Sequence, residues 1–240
     1  MRHHKVINYY NKAFLKGAYN SETLWTCGMK SSKKIIKNKK LIFKLKKLAM
    51  RFAGRLIWPN MFPTALDPIS GNLLYDLIRL TKPDVAVEIG TFKGYSAICL
   101  AQGLEDNQRG ILYTIDPVEQ PIVYQAIKKA GLGHCIKYVI DYSQNAIPKL
   151  ELDKIDFVFI DGDHDYENCR RDFNLVKDLV PKNGLVVFHD TLALAGPKRV
   201  VAEIRGFEIL TLPTITGLIS PDNPGLNTDH PLGITICKKI

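Results

Sequence analysis

The residues best suited to chemistry lie in Asp161-Gly162-Asp163-His164-Asp165-Tyr166 and in His189-Asp190. Two carboxylates and an imidazole, Asp161, Asp190 and His189, can bind a divalent ion and leave positions open to substrate oxygens. His164 follows Asp161 by three residues and is placed to reach the same rim. The ordinary pKa of histidine suits a general base for a hydroxyl held on such an ion. Plainer roles stay open. Asp163 or Asp165 can cap the following helix. His164 can be an exposed loop residue, and His189 a hydrogen-bonded rim histidine.

A second constellation runs from Glu88 through Gly90-Thr91-Phe92-Lys93-Gly94 to Tyr95-Ser96. Val85 to Ile89 reads as a strand covered on both faces. Gly90 and Gly94 bracket a tight turn where backbone approaches a ligand or the next helix. The helix opening near Gly94 offers free N–H groups to an anionic group. Alone, this is equally an ordinary strand-to-helix turn.

These residues need a scaffold, and the hydrophobic pattern supplies one. Strands are expected near 85–89, 111–115, 136–140, 155–160 and 185–189, with helices near 94–103, 120–130, 144–150 and 165–180 between them. Asp67-Pro68 reads as an N-cap with proline at N1. Its helix should carry Leu73, Leu74, Leu77, Ile78 and Leu80 into the core. A helix near 198–205 and two last strands, Phe207–Leu212 and Gly233–Cys237, complete the pattern, with a Pro/Gly/Asn-rich loop over 213–231. The expected fold is α/β: a doubly wound, Rossmann-like, mostly parallel seven-stranded sheet with helices on both faces.

Every expected parallel strand ends in or beside an acid: Glu88, Asp116, Asp141, Asp161 and Asp190. In a parallel sheet these ends share one edge, where ligands of open α/β sheets bind. Asp116 closes the second strand, where an acid accepts hydrogen bonds from ribose hydroxyls. The turn has G-x-x-x-G rather than G-x-G-x-x-G, which disfavours NAD. The absence of G-x-x-x-x-G-K-[ST] argues against a P-loop nucleotidase.

Charge divides the chain. Residues 1–55 hold 15 Lys/Arg and one acid, Glu22, whereas the remainder holds 18 basic and 23 acidic residues. A basic N-terminal arm, residues 1–57, therefore precedes a mildly acidic domain, residues 58–240, with the breaker-rich Trp58–Pro63 as linker. Within 35–57, Leu41, Leu45, Leu48, Phe52 and Leu56 recur at helical spacing among lysines and arginines. This basic amphipathic helix cannot span a bilayer, since each central lysine would cost about 2.5–3.5 kcal/mol. It suits an anionic membrane surface, or docking on its own domain or on a partner subunit, a homo-oligomer included. No base-reading motif accompanies the charge, so no nucleic acid is expected. The five scattered cysteines form no C-x-x-C and fit a reducing cytosol. The expected location is cytoplasmic, with peripheral attachment at the inner face of a membrane as the variant.

The segments Val87–Ser96, Phe159–Tyr166 and Gly184–Asp190 resemble class I S-adenosylmethionine (SAM)-dependent methyltransferases. They look most like the small-molecule O-methyltransferases with E-x-G, D-G-D-H-x-Y and H-D motifs, relatives of catechol O-methyltransferase and of the macrocin and cephalosporin-pathway enzymes. The resemblance covers about 66–212 and leaves out 1–57. It implies SAM as cofactor and a small hydroxylated acceptor. Glu88, Gly90, Thr91 and Gly94 would cradle the methionine part, with Tyr95 and Ser96 near its carboxylate. Asp116 would take the ribose. Asp141 would close the third strand, with Ser143 and Gln144 at the adenine. Asp161, His189 and Asp190 fall on the metal positions, and His164 where the catechol enzyme carries a lysine base. His189 replaces an acidic ligand, which leaves Mg²⁺, a softer divalent ion or no metal open. Two other readings remain: an NAD-linked oxidoreductase, and a non-catalytic docking module on a methyltransferase fold.

Overall fold

The structure is a computed structural model that describes residues 66–214 and 232–240. The basic arm, the linker at 58–63 and the 215–231 part of the long loop lie outside the described residues.

Helix α1 (Pro68–Thr81) starts as its sequence requires: the Asp67 carboxylate accepts from the Ile69 and Ser70 N–H groups, with proline at the helix start. Leu74 and Ile78 are fully buried, one turn apart, and Leu73 and Leu77 pack beside them. Leu80 departs from expectation and is 79% exposed. It lies two residues past Ile78, about 200° around the helix from the buried stripe.

The chain then alternates: β1 (Val85–Ile89), α2 (Tyr95–Asn107), β2 (Ile111–Asp116), α3 (Pro121–Ala130), β3 (Ile136–Ile140), α4 (Ser143–Lys149), β4 (Phe157–Ile160), α5 (Tyr166–Val176), β5 (Leu185–His189), α6 (Ala195–Glu203), β6 (Phe207–Leu212) and β7 (Ile234–Lys239). Two helix ends differ from expectation. Helix α2 runs on to Asn107 and stops where Gln108 turns left-handed. Helix α5 stops at Val176, before Pro181, yet Val180 is still buried.

The sheet order is β3-β2-β1-β4-β5-β7-β6. The first five are parallel, and β7 runs antiparallel between β5 and β6. Chain direction across the sheet reverses between β1 and β4, the switch point at which α/β sheets open a crevice. Alternate residues feed two cores. Ala86, Phe157, Phe159, Leu185 and Val187 pack under α1, α2 and α3. Val87, Ile89, Val158, Ile160, Val186 and Phe188 pack under α4, α5 and α6. Strands apolar on both faces read as continuous apolar runs. Glu88 is the one charged residue set into this buried ladder, with no exposure.

Candidate active site

Glu88 shares its register position with Thr114 on β2. The Thr114 hydroxyl donates to Glu88 Oε2. That leaves the Thr91 hydroxyl as donor in the Thr91–Thr114 pair. Ser96, in the first turn of α2, hydrogen-bonds the same carboxyl, and burial outweighs both donors and pushes its pKa up to about 8. Glu88 Oε1 is buried without a partner. An incoming cationic group such as an ammonium beside this oxygen would favour the ionised carboxylate and pair with it.

The turn between β1 and α2 is held from the end of β2. Asp116 Oδ2 accepts from Thr91 N at 3.0 Å and Phe92 N at 2.8 Å, and Oδ1 from Val118 N at 2.9 Å. Phe92 sits at φ 45° and is 43% exposed. Gly90, at φ +97°, has a structural reason to be glycine: a Cβ there would lie 2.2 Å from the Asp161 carbonyl oxygen. Tyr95 turns away from the turn, its ring against Gly71 of α1.

The third group stands apart. The Asp141 carboxylate is engaged by Tyr142 N, Asn145 and Lys149, and its pKa is lowered by Lys149 first and Asn145 next. Ser143 is buried, and its hydroxyl donates to Asp172 of α5. Gln144 is exposed. Ser143 therefore offers its backbone, not its hydroxyl, to anything beside β3. Burial raises the pKa of Asp172, against the Ser143 donor.

At the ends of β4 and β5 the remaining residues converge into a ring of alternating acid and base. His164 Nε2 lies 2.9 Å from Asp190 Oδ2 and 3.8 Å from Asp161 Oδ1. His189 Nδ1 lies 3.1 Å from Asp161 Oδ1 and 3.2 Å from Asp190 Oδ1. Hydrogen bonds to Asp161 and Asp190 raise the His164 pKa to about 10, against burial. For His189, burial disfavours the imidazolium, yet the same two carboxylates outweigh it and hold its pKa well above the usual value. Burial would raise the Asp190 pKa, but His164 and His189 hold it well below the carboxylate range. Donor atoms of Asp161, His164 and Asp190 lie within 4.8 Å of one another, so this trio, with His164 in it, is the set among the described residues that could hold an ion. Asp165 caps α5 through Glu167 N, the plainer role expected of one of these two acids, whereas Asp163 accepts from Asp165 N and the Asn168 side chain.

Two participants escaped the sequence reading. Thr114 lies inside an apolar run, and only strand register brings it to Glu88. Asp172 lies on a helix face, and no spacing ties it to Ser143.

Residues 87–191 match the family model of a methyltransferase domain. A protein provisionally named an O-methyltransferase, from Mycobacterium sp. (strain JLS), is 38% identical over 102 residues, 41% of this chain and 46% of that protein. Less than half of the mycobacterial relative is therefore spanned. Catechol O-methyltransferase of Sus scrofa is 28% identical over 141 residues, 57% of this chain and 75% of that enzyme. Among solved structures, the O-methyltransferase from Bacillus cereus in complex with SAH superposes with a TM-score of 0.63 at 19% identity, covering 86% of this chain and 94% of that one. This last likeness bears on the fold. None of these relatives carries the nicotinamide reading forward. Residues 87–191, somewhat under half of the chain, thus resemble a methyltransferase domain, and the acidic rim stands on the fold shared with the Bacillus cereus structure.

Proposed function

We propose that the protein transfers the methyl group of SAM to a hydroxyl of a small acceptor: a sugar, a glycoside or another hydroxylated metabolite. The observation that carries this reading is the adjacency of two polar groups across the β1–β4 switch point. Glu88, Thr114, Ser96 and Asp116 lie on the β1–β2 side, and Asp161, His164, His189 and Asp190 on the β4–β5 side. The catechol enzyme among the relatives supports a hydroxylated acceptor.

In this reading the first group holds the cofactor. Glu88 faces its methionine end, and Asp116 takes the ribose hydroxyls while keeping the turn at Thr91-Phe92 in place. The N-terminal backbone of α4, at Ser143 and Gln144, borders the adenine. Bound SAM supplies a methyl group already activated on a sulfonium, so the protein's work is alignment of the acceptor oxygen with it. The new bond is O–CH₃, the bond broken is S–CH₃, and the hydroxyl proton leaves to the rim or to water. The residues of the second group orient the acceptor. A divalent ion on them would make a bound hydroxyl more acidic. For His164 to act as a free base near neutral pH, it would first have to shed the proton that Asp161 and Asp190 hold on it.

Residues 35–57 would attach the protein to an anionic membrane surface or a partner subunit from the cytoplasmic side. Among the described residues no helix is long and apolar enough to cross a membrane. The reading of the site is tested by titration calorimetry with SAM and SAH on the full chain. We expect saturable binding that is lost in Asp116→Ala. A wild-type protein that takes up neither ligand would end it.

A further inference from the structure

We propose that the site exchanges a proton for its cofactor: Glu88 stands as a neutral acid in the free protein, and arrival of the cofactor's ammonium group releases that proton to water. This rests on the reading that SAM and SAH occupy the β1–β2 side of the site, and it adds a proton linkage to that reading.

Glu88 is the penultimate residue of β1 and has no exposure. Its partners are hydroxyls, which carry no charge. Thr114 on β2 donates to Oε2, and Ser96 in the first turn of α2 hydrogen-bonds the same carboxyl. Oε1 has no partner and is left to carry the proton. The charges that act on Glu88 are Asp161, just after β4, and Asp116, at the end of β2, and both are negative. A carboxylate buried without a cation is costly enough that the group keeps its proton instead. The start of α2 and the two hydroxyls favour the charged form. They do not outweigh complete burial, and the pKa stands at about 8.

A cation reverses this balance. An opposite charge within about 4–6 Å favours the ionised carboxyl and lowers its pKa by about 1–3. The ammonium therefore acts without displacing Thr114 or Ser96. It keeps its own proton while the acid gives one up, so a carboxylate faces an ammonium where a neutral acid stood. An α-amino group titrates at about 7.7–8.0, so below pH 7 the ligand arrives charged and the released proton comes from the protein. Affinity for the cofactor then rises with pH over the range in which Glu88 is neutral when free and ionised when bound.

The test is titration calorimetry of the full chain with SAH at pH 6.5, in buffers of low and high ionisation enthalpy. The dependence of the heat on the buffer counts the protons. We expect release of on the order of half to one proton per bound SAH. 5′-Methylthioadenosine keeps the adenine, ribose and sulfur but lacks the ammonium, and should release none. Glu88→Gln, a neutral isostere of the protonated acid, should bind SAH without release. A fall of about 2 in the Glu88 pKa should also tighten SAH roughly tenfold from pH 5 to pH 7, relative to Glu88→Gln. Circular dichroism checks that the variant is folded, and if it is not, the two ligands on the wild type still decide. SAH that binds with a heat independent of the buffer would overturn the proposal and leave the methyltransferase reading standing. Equal release with methylthioadenosine, or release that persists in Glu88→Gln, would overturn it too. A protein that takes up no SAH would end both.

Discussion

The hydroxyl of Thr114 donates to the carboxyl of Glu88 straight across the β1–β2 ladder, where the two residues are partners in register. Both are fully buried. The pair joins the buried sheet to the turn that follows β1, because Thr91 hangs from the same hydroxyl. Thr114→Val keeps the shape and removes the donor. Leaving a buried acceptor short of a partner costs roughly 1–3 kcal/mol. In a domain of this size that is a fall in Tm of roughly 3–10 °C. Thermal unfolding followed by circular dichroism measures it, and an unchanged Tm would contradict the linkage.

Glu88 also makes stability depend on pH. Its folded-state pKa is raised from 4.5 to about 8, chiefly by burial. The folded protein therefore keeps a proton that the unfolded chain releases. The contribution is fully present below pH 4.5 and is lost as pH rises through about 8. A shift of this size corresponds to on the order of 4 kcal/mol across the window. Asp190, whose pKa is lowered, slopes the other way, and Asp172, whose pKa is raised, slopes the same way. The measurement is therefore the difference between wild type and Glu88→Gln in urea unfolding at several pH values. That difference should move against the wild type from pH 5 to pH 8, by roughly the shift just given. A difference independent of pH would show that Glu88 titrates normally.

Gly90 and Gly94 look alike in the sequence, and the structure gives them different tolerances. At Gly90 a Cβ would meet the Asp161 backbone at 2.2 Å, and at Gly94 it would meet only the Val123 side chain, at 3.4 Å. Both have positive φ. Gly94→Ala should fold, at a cost of about 1–2 kcal/mol for the left-handed backbone. Gly90→Ala must also push β4 away from β1 and displace Asp161. We expect it to be insoluble or to lose cooperative unfolding. Comparable Tm values for the two variants would refute the distinction.

The placement of strand ends was legible because a buried parallel strand is an apolar run, and an acid at its end is a sharp stop. What each acid does was not legible. Asp141 resembles Asp116 in the sequence, yet its carboxylate serves its own helix through Asn145 and Lys149. Asp116 binds a turn 24 and 25 residues earlier. Spacing likewise put His189 among the ligands and His164 beside them as a base. In the structure the donor atoms that lie within 4.8 Å of one another are those of Asp161, exposed His164 and buried Asp190, while His189, 6% exposed, has Nδ1 3.1 Å from Asp161. Such differences depend on side-chain direction at a strand end, and strand periodicity fixes that only up to the last ladder residue. Leu80 failed for a related reason: several leucines share α1, and only the position of α2 decides which face is inside.

The Ser143–Asp172 contact is the least expected part of the site and yields a test of its own. Asp172 is 4% exposed, on α5, and its nearest polar link is the hydroxyl at the start of α4. Gly162, in the loop that carries His164, packs close to the other Asp172 oxygen: a Cβ there would lie 3.6 Å from it. One buried carboxyl thus stands behind both the adenine side and the acceptor side of the proposed site. Ser143→Ala strips Asp172 of its donor, and Asp172→Ala strips Ser143 of its acceptor. If the two act through one another, the double variant is less unstable than the sum of the singles, by about 1–3 kcal/mol. Urea unfolding of the four proteins measures that coupling. SAH affinity, by calorimetry, should fall roughly tenfold in either single variant if Asp172 fixes the start of α4, with little further loss in the double. Additive stabilities, or SAH affinity untouched by either change, would reduce the pair to ordinary packing.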